Sequence, residues 1–182
     1  MFQCGSSDKV SNKKSAGLNP YFPAAEGNYW EYINEAPREE TELWKVEVRS
    51  QKSEGTDRIY TFSSFPFFFK EEKPTNIRIK EDGSVYWNDS NKIIPEIANL
   101  KNGYTWNFGI WNGNVASTKE TVKAENETFT NCIRINFAAS ITFTAELWLS
   151  KNNGIVKWGF FRTNPPTLTF TYYVLNKVRL KE

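Results

Sequence analysis

The sequence predicts an all-β fold, one large, strongly curved antiparallel sheet with at most one or two short helical turns. Three observations carry this reading. Apolar and polar residues alternate with period two over long segments. Asn-Gly and Asp-Gly pairs punctuate those segments. Aromatic residues are abundant, with 14 Phe, 8 Tyr and 7 Trp against a single Met, and large rigid rings suit a pleated, half-buried surface.

The alternation is explicit. In Leu43–Arg49, Trp44, Val46 and Val48 share one face while Lys45, Glu47 and Arg49 take the other, the pattern of a half-solvated strand. Asn131–Phe137 sets Ile133, Ile135 and Phe137 against Cys132, Arg134 and Asn136. Ser140–Leu149 sets Ile141, Phe143, Ala145, Leu147 and Leu149 against Thr142, Thr144, Glu146 and Trp148. Leu168–Val174 sets Leu168, Phe170, Tyr172 and Val174 against Thr169, Thr171 and Tyr173.

Three pairs read as hairpin turns, because Asn, Asp and Gly tolerate the positive φ that tight turns require. Asp82-Gly83 separates Ile77–Lys80 from Val85–Trp87, Asn112-Gly113 separates Ile110-Trp111 from Val115, and Asn153-Gly154 precedes Ile155–Phe161. A short helical candidate spans Pro95–Lys101, ended by Asn102-Gly103. A faint internal echo relates Gly27-Asn28-Tyr29-Trp30-Glu31-Tyr32 to Gly103-Tyr104-Thr105-Trp106-Asn107-Phe108, each behind an upstream proline, Pro23 and Pro95.

Residues 1–18 are small, polar and without periodicity, and read as a disordered tail; residues 19–182 read as one β domain. A 182-residue chain fits one domain and can bury roughly 70% of its unfolded surface. Mean hydropathy is −0.60, and no stretch approaches the roughly 20 apolar residues of a membrane-spanning helix.

Composition also sets chemistries aside. A net charge of +2, from 23 basic and 21 acidic residues spread along the chain, gives no footprint for nucleic acid. The sparse Lys9, Lys13 and Lys14 read as solubilising, with attraction to a membrane surface as the alternative. Histidine is absent, so no Ser-His-Asp or Cys-His arrangement and no His-ligated metal can form. The two cysteines, Cys4 and Cys132, are too few for a Cys-rich metal site. A disulfide between them is disfavoured because Cys4 sits in the tail. No cofactor or metal is expected.

Paired carboxylates remain the one enzymatic option, since glycosidases work with two acids alone. The acidic groups Glu39-Glu40-Glu42, Glu71-Glu72, Asp82 and Asp89 fall in loops or turns beside Lys or Arg, where solvated charge is the default. The chain is therefore read as no enzyme. Asn88-Asp89-Ser90-Asn91 offers oxygen ligands but lacks the glycine and distal glutamate of a calcium loop. Asn126-Glu127-Thr128 fits a glycosylation acceptor.

Cys4 is the most informative residue. A cysteine followed by Gly5-Ser6-Ser7-Asp8, a polar linker and a β domain is how a mature bacterial lipoprotein begins, and acyl chains on it would anchor firmly, at about 0.8 kcal/mol per buried methylene. Only Met1-Phe2-Gln3 precede it, with neither a charged nor an apolar signal region. The reading therefore expects an upstream signal sequence, and a cytoplasmic protein if Met1 is the true start.

Two aromatic groups are candidate contacts for a ligand or partner. Phe67, Phe68 and Phe69, beside Phe65-Pro66, form either a hydrophobic lip or core packing, with core packing favoured. Trp148 and Tyr173, on the Thr-rich faces of their strands, form either an aromatic platform, as for a sugar, or a covered surface.

The order of motifs resembles a family of uncharacterised bacterial lipoproteins. The resemblance rests on Pro20-Tyr21-Phe22-Pro23 with Gly27-Asn28-Tyr29-Trp30-Glu31-Tyr32, then Tyr86-Trp87, Ile94-Pro95 and Gly103-Tyr104-Thr105-Trp106. Thr121-Val122, Thr128 to Ile135, Glu146-Leu147-Trp148-Leu149 and Asn153 to Trp158 complete it, covering essentially residues 20–180. Departures are Glu127 where the family has glycine, which puts a tight turn in doubt, and Lys151-Asn152-Asn153 where it has Ala-Pro-Gly-Val.

The resemblance implies an open or half β-barrel similar to lipoprotein-carrier domains, lipid-anchored at the outer membrane or facing the periplasm. It implies no activity. The expected role is a non-enzymatic envelope lipoprotein whose curved sheet binds an apolar ligand or lipid. The alternatives are an interaction or scaffold module that meets an envelope protein, and a carboxylate-only glycosidase.

Overall fold

The computed structural model describes residues 18–35, 43–65, 67, 73–140, 143–164 and 167–181. Twelve strands form one antiparallel sheet. The first half of the chain supplies β1 (Tyr29–Asn34), β2 (Leu43–Glu54), β3 (Asp57–Phe62), β4 (Thr75–Ile79), β5 (Val85–Trp87) and β6 (Asn91–Ile94). The second supplies β7 (Thr105–Phe108), β8 (Trp111–Lys123), β9 (Thr128–Ser140), β10 (Phe143–Ser150), β11 (Gly154–Asn164) and β12 (Thr167–Arg179). A 3-10 turn, Ile97–Asn99, lies where the short helix is expected.

The spatial order is β6-β5-β4-β3-β2-β1-β12-β11-β10-β9-β8-β7. Each half is a six-stranded meander, and the first and last strands of the chain, β1 and β12, pair to join them. The two sheet edges are β6 and β7. The sheet curls until these nearly meet, and the Trp106 indole on β7 donates to the Lys92 carbonyl on β6 at 2.7 Å. Near-closure removes most of the unpaired edge that a long sheet would expose.

The alternation places the core on the inner face. Trp44, Val46 and Val48 of β2 are buried, as are Ile133, Ile135 and Phe137 of β9 and Ala145, Leu147 and Leu149 of β10. Aromatic rings fill the centre: Trp158 lies parallel to Tyr173 with centroids 4.1 Å apart, and Phe67 meets both Tyr32 and Trp158 edge-on. Such contacts add to the area they bury.

The Gly-x-x-Trp echo has matching local geometry. Gly27 and Gly103 both have positive φ, at 83° and 80°. Their N–H groups donate to the carbonyls of Val48 and Val115 at 2.8 and 2.9 Å, and the N–H groups of those valines return to Asn28 and Tyr104, both at 2.9 Å. Each tryptophan then donates its indole N–H to a backbone carbonyl at 2.7 Å, Trp30 to Asn153 and Trp106 to Lys92.

Residues 19–28 close one end of the curled sheet. Buried Asn19 donates to the Gly83 carbonyl at 2.6 Å, and the Asn152 N–H donates to the Pro20 carbonyl at 2.7 Å. Buried Asn28 donates to the Pro23 carbonyl at 2.8 Å and accepts from the Lys181 N–H at 2.7 Å. The chain therefore enters the domain beside the β4–β5 and β10–β11 turns.

Two expectations need correction. Asn112-Gly113 makes no turn: both residues lie inside β8, opposite Asn107 and Trp106. The hairpin turns instead at Gly109-Ile110, with Gly109 at φ 54°. Gly113 serves packing, since a Cβ there would lie 2.5 Å from the Trp106 ring. The strand read from Ser140 to Leu149 is also divided, because Ser140 ends β9 and Phe143 begins β10. Glu127 is no obstacle to its turn, which closes by Ala124 N–H donating to the Glu127 carbonyl at 2.8 Å.

Candidate functional site

Inside the sheet, the described residues pack closely around Phe22, Trp30, Phe62 and Phe67. Between Phe22, Trp30, Phe62 and Phe67 there is a void of about 10 Å³, enough for one water at most. Phe67 itself is 2% exposed, so it packs in the core. Phe68 and Phe69 lie outside the described residues, as do Cys4 and the acidic groups at 39–42 and 71–72.

The outer face carries a cleft of about 350 Å³ across β8, β9 and β10. Its side chains follow from register. Asn114 stands opposite Asn136, which stands opposite Glu146; two residues along, Asn112 and Thr144 flank Ala138. The polar positions are those that alternate with core residues, and Ala138 keeps the floor low. Asn112 donates to Asn107 Oδ1 at 2.9 Å. Asn136 Oδ1 is buried and accepts no hydrogen bond.

The row continues to Gly159 on β11 and Tyr172 on β12. The Tyr172 ring lies over Gly159, where a Cβ would stand 2.4 Å from it, and its hydroxyl donates to Glu146 Oε2 at 2.9 Å. Burial, followed by the hydrogen bond to Glu146, pushes the Tyr172 hydroxyl well above the ordinary tyrosine range. The Lys157 ammonium sits 4.6 Å from the Tyr172 ring centre and 5.5 Å from that of Trp148, and pairs with Glu35 at 2.6 Å.

The expected aromatic platform is therefore rearranged. Trp148 does face outward, but it is 7% exposed beneath Tyr172 and Lys157. Tyr173 belongs to the core, at 1% exposed, and Tyr172 takes the outer position. The reason is local. Along β12 the pairing with β11 runs unbroken from Thr167 to Val174, and it sets Tyr173 opposite Trp158, on which it stacks on the inner face.

Other reactive groups are engaged. Arg78 holds Asp57 at 3.1 Å and Asp89 at 2.8 Å, and also pairs with Glu54. Asn88 Oδ1 accepts from the Thr75 hydroxyl at 3.1 Å. Asn88 and Asp89, at φ 50° and 59°, form the β5–β6 turn, a role that their tolerance of left-handed backbone explains. Cys132 is fully buried, and burial pushes its thiol up to about 11, which keeps it protonated and inert.

The site residues missed in the sequence are Asn114, Asn136, Glu146 and Tyr172. Period-two alternation places Asn136 and Glu146 on polar faces, but only cross-strand register sets them side by side.

These features define a near-closed antiparallel barrel with a cleft on its outer face. The chain superposes on a protein from Bacteroides fragilis described as exported and of YmcC-like fold, at 14% identity and TM-score 0.55, over 88% of this chain and 99% of that one. It also superposes on a protein described as a lipoprotein from Parabacteroides distasonis, at 13% identity and TM-score 0.49, over the same shares. At this identity the first correspondence establishes a shared fold. No family model matches the chain, and no curated protein does.

Proposed function

We propose that the protein is a non-enzymatic binding protein of the bacterial envelope, exported and anchored through lipid on Cys4. The observation that carries this is the shared fold with a protein described as exported, spanning 88% of the chain, joined to a polar linker that begins at Cys4 and enters the domain at one end. A ligand met on the outer surface is supported by the cleft of about 350 Å³ across β8, β9 and β10. A non-catalytic role is supported by the lack of histidine, the masked Cys132 thiol and the capture of three carboxylates by Arg78.

Mass spectrometry of the protein extracted from its own host, expressed from the full upstream reading frame, tests this. The expected species begins at Cys4 and carries diacylglyceryl mass. An unmodified chain beginning at Met1 would sink the anchor and leave a β domain without an envelope address.

A further inference from the structure

We propose that the outer cleft over β8, β9 and β10 binds a neutral, hydroxyl-rich carbohydrate. Its polar groups are three amides (Asn112, Asn114 and Asn136), the Thr144 hydroxyl and the Glu146 carboxylate, set among apolar surface from Phe137, Ala138 and Ala145. Amides both donate and accept, while a carboxylate only accepts. That mixture matches vicinal hydroxyls, which do both. Glu146 is the one charged residue in the lining, so the site disfavours an anion. Of the nearby cations, Lys157 pairs with Glu35 at 2.6 Å, while Arg134 Nε lies 3.9 Å from Glu120 without a hydrogen bond.

The acceptor is set in advance. Tyr172 holds Glu146 through Oε2, and Oε1 accepts nothing among the described residues. Asn136 Oδ1 is buried beside the cleft without a hydrogen-bond partner, an acceptor left for a ligand hydroxyl. The volume, about 350 Å³, lies in the range of small-molecule sites.

A peptide fits less well. The cleft lies mid-sheet, where β9 is paired on both sides by β8 and β10, so no backbone edge is free for strand addition. The cleft also lies far from the tail. Thr144 is six residues from Ser150 on β10, roughly 20 Å at about 3.3 Å per residue, and Asn152, just beyond, meets the entering chain at Pro20.

The purified full chain, without acylation, is applied to an array of neutral and acidic glycans beside Asn114→Ala and Asn136→Leu variants. The expected result is binding to at least one neutral glycan. Each variant should weaken it at least tenfold, with the melting temperature of Asn136→Leu unchanged or raised. Three outcomes overturn the proposal: no neutral glycan bound, binding to acidic glycans alone, or binding that survives both substitutions. The anchor does not enter this measurement, so the two readings fail separately.

Discussion

The Tyr172 hydroxyl reaches Glu146 across an intervening strand, donating at 2.9 Å while its ring rests on Gly159. One glycine thus decides whether the outer face of the sheet has a fixed carboxylate. Gly159→Ala would put a Cβ 2.4 Å from the ring and displace it. The expected cost is about 1–3 kcal/mol, read as a melting temperature lowered by several degrees. Tyr172→Phe keeps the ring and should cost less than Gly159→Ala.

Phe67 separates a contact lip from a core residue. It is 2% exposed and meets Tyr32, Phe65 and Trp158 edge-on. Phe67→Ala should therefore cost about 3–5 kcal/mol in a chemical denaturation experiment. An unchanged denaturation midpoint would return this ring to the surface.

The Trp106 indole bridges the two edge strands through the Lys92 carbonyl. Trp106→Phe removes that donor, at about 0.5–1.5 kcal/mol for the hydrogen bond plus some loss of packing. Hydrogen exchange should quicken in β6 and β7 and stay slow where β1 pairs with β12. Uniform quickening would show that the bridge has no local role.

Cys132 should resist a thiol reagent in the folded protein. Its thiol is buried and pushed up to about 11, so little thiolate exists at neutral pH. One fast-reacting thiol in a Cys4→Ser variant would contradict this, whereas reaction only in denaturant agrees with it.

Stability should fall at both pH extremes for separable reasons. Burial raises the Tyr32 and Tyr172 hydroxyls above the usual value near 10. The folded state therefore holds these protons more tightly, and stability is lost as pH rises above about 10. Glu96 behaves oppositely. Burial opposes its ionisation, but hydrogen bonds from Lys92 and Asn99 prevail and hold it at about 2. Its contribution is present above the usual carboxylate value and disappears as pH falls toward 2. Glu96→Gln should flatten the acid limb of a melting-temperature profile, and the alkaline limb should shift only by the part Lys92 loses with its partner, since Glu96 also raises that ammonium.

Much of the fold is legible in the sequence because strand periodicity is local. The faces of Leu43–Arg49 and Asn131–Phe137 follow from side chains that alternate along one strand, and the turns at Gly83 and Gly154 follow from positive φ. The hairpin at Gly109-Ile110 escapes because Asn112-Gly113 carries the stronger turn signal, while Trp106 requires Gly113 for space. Tyr172 and Tyr173 exchange roles because cross-strand register sets Tyr173 opposite Trp158, whose stack fixes the inner face of β12.

The sequence by itself determined an all-β chain, its strand faces, most of its turns, a Cys4-led tail and the lack of histidine chemistry. These are properties of single residues or of neighbours a few positions apart. The tertiary structure alone decided that β1 joins β12, that the gap falls between β6 and β7, and that the interior fills with rings. It also aligned Asn114, Asn136 and Glu146 in one row. Residues on separate strands become neighbours only through cross-strand register, and register is fixed by the summed packing of the whole sheet.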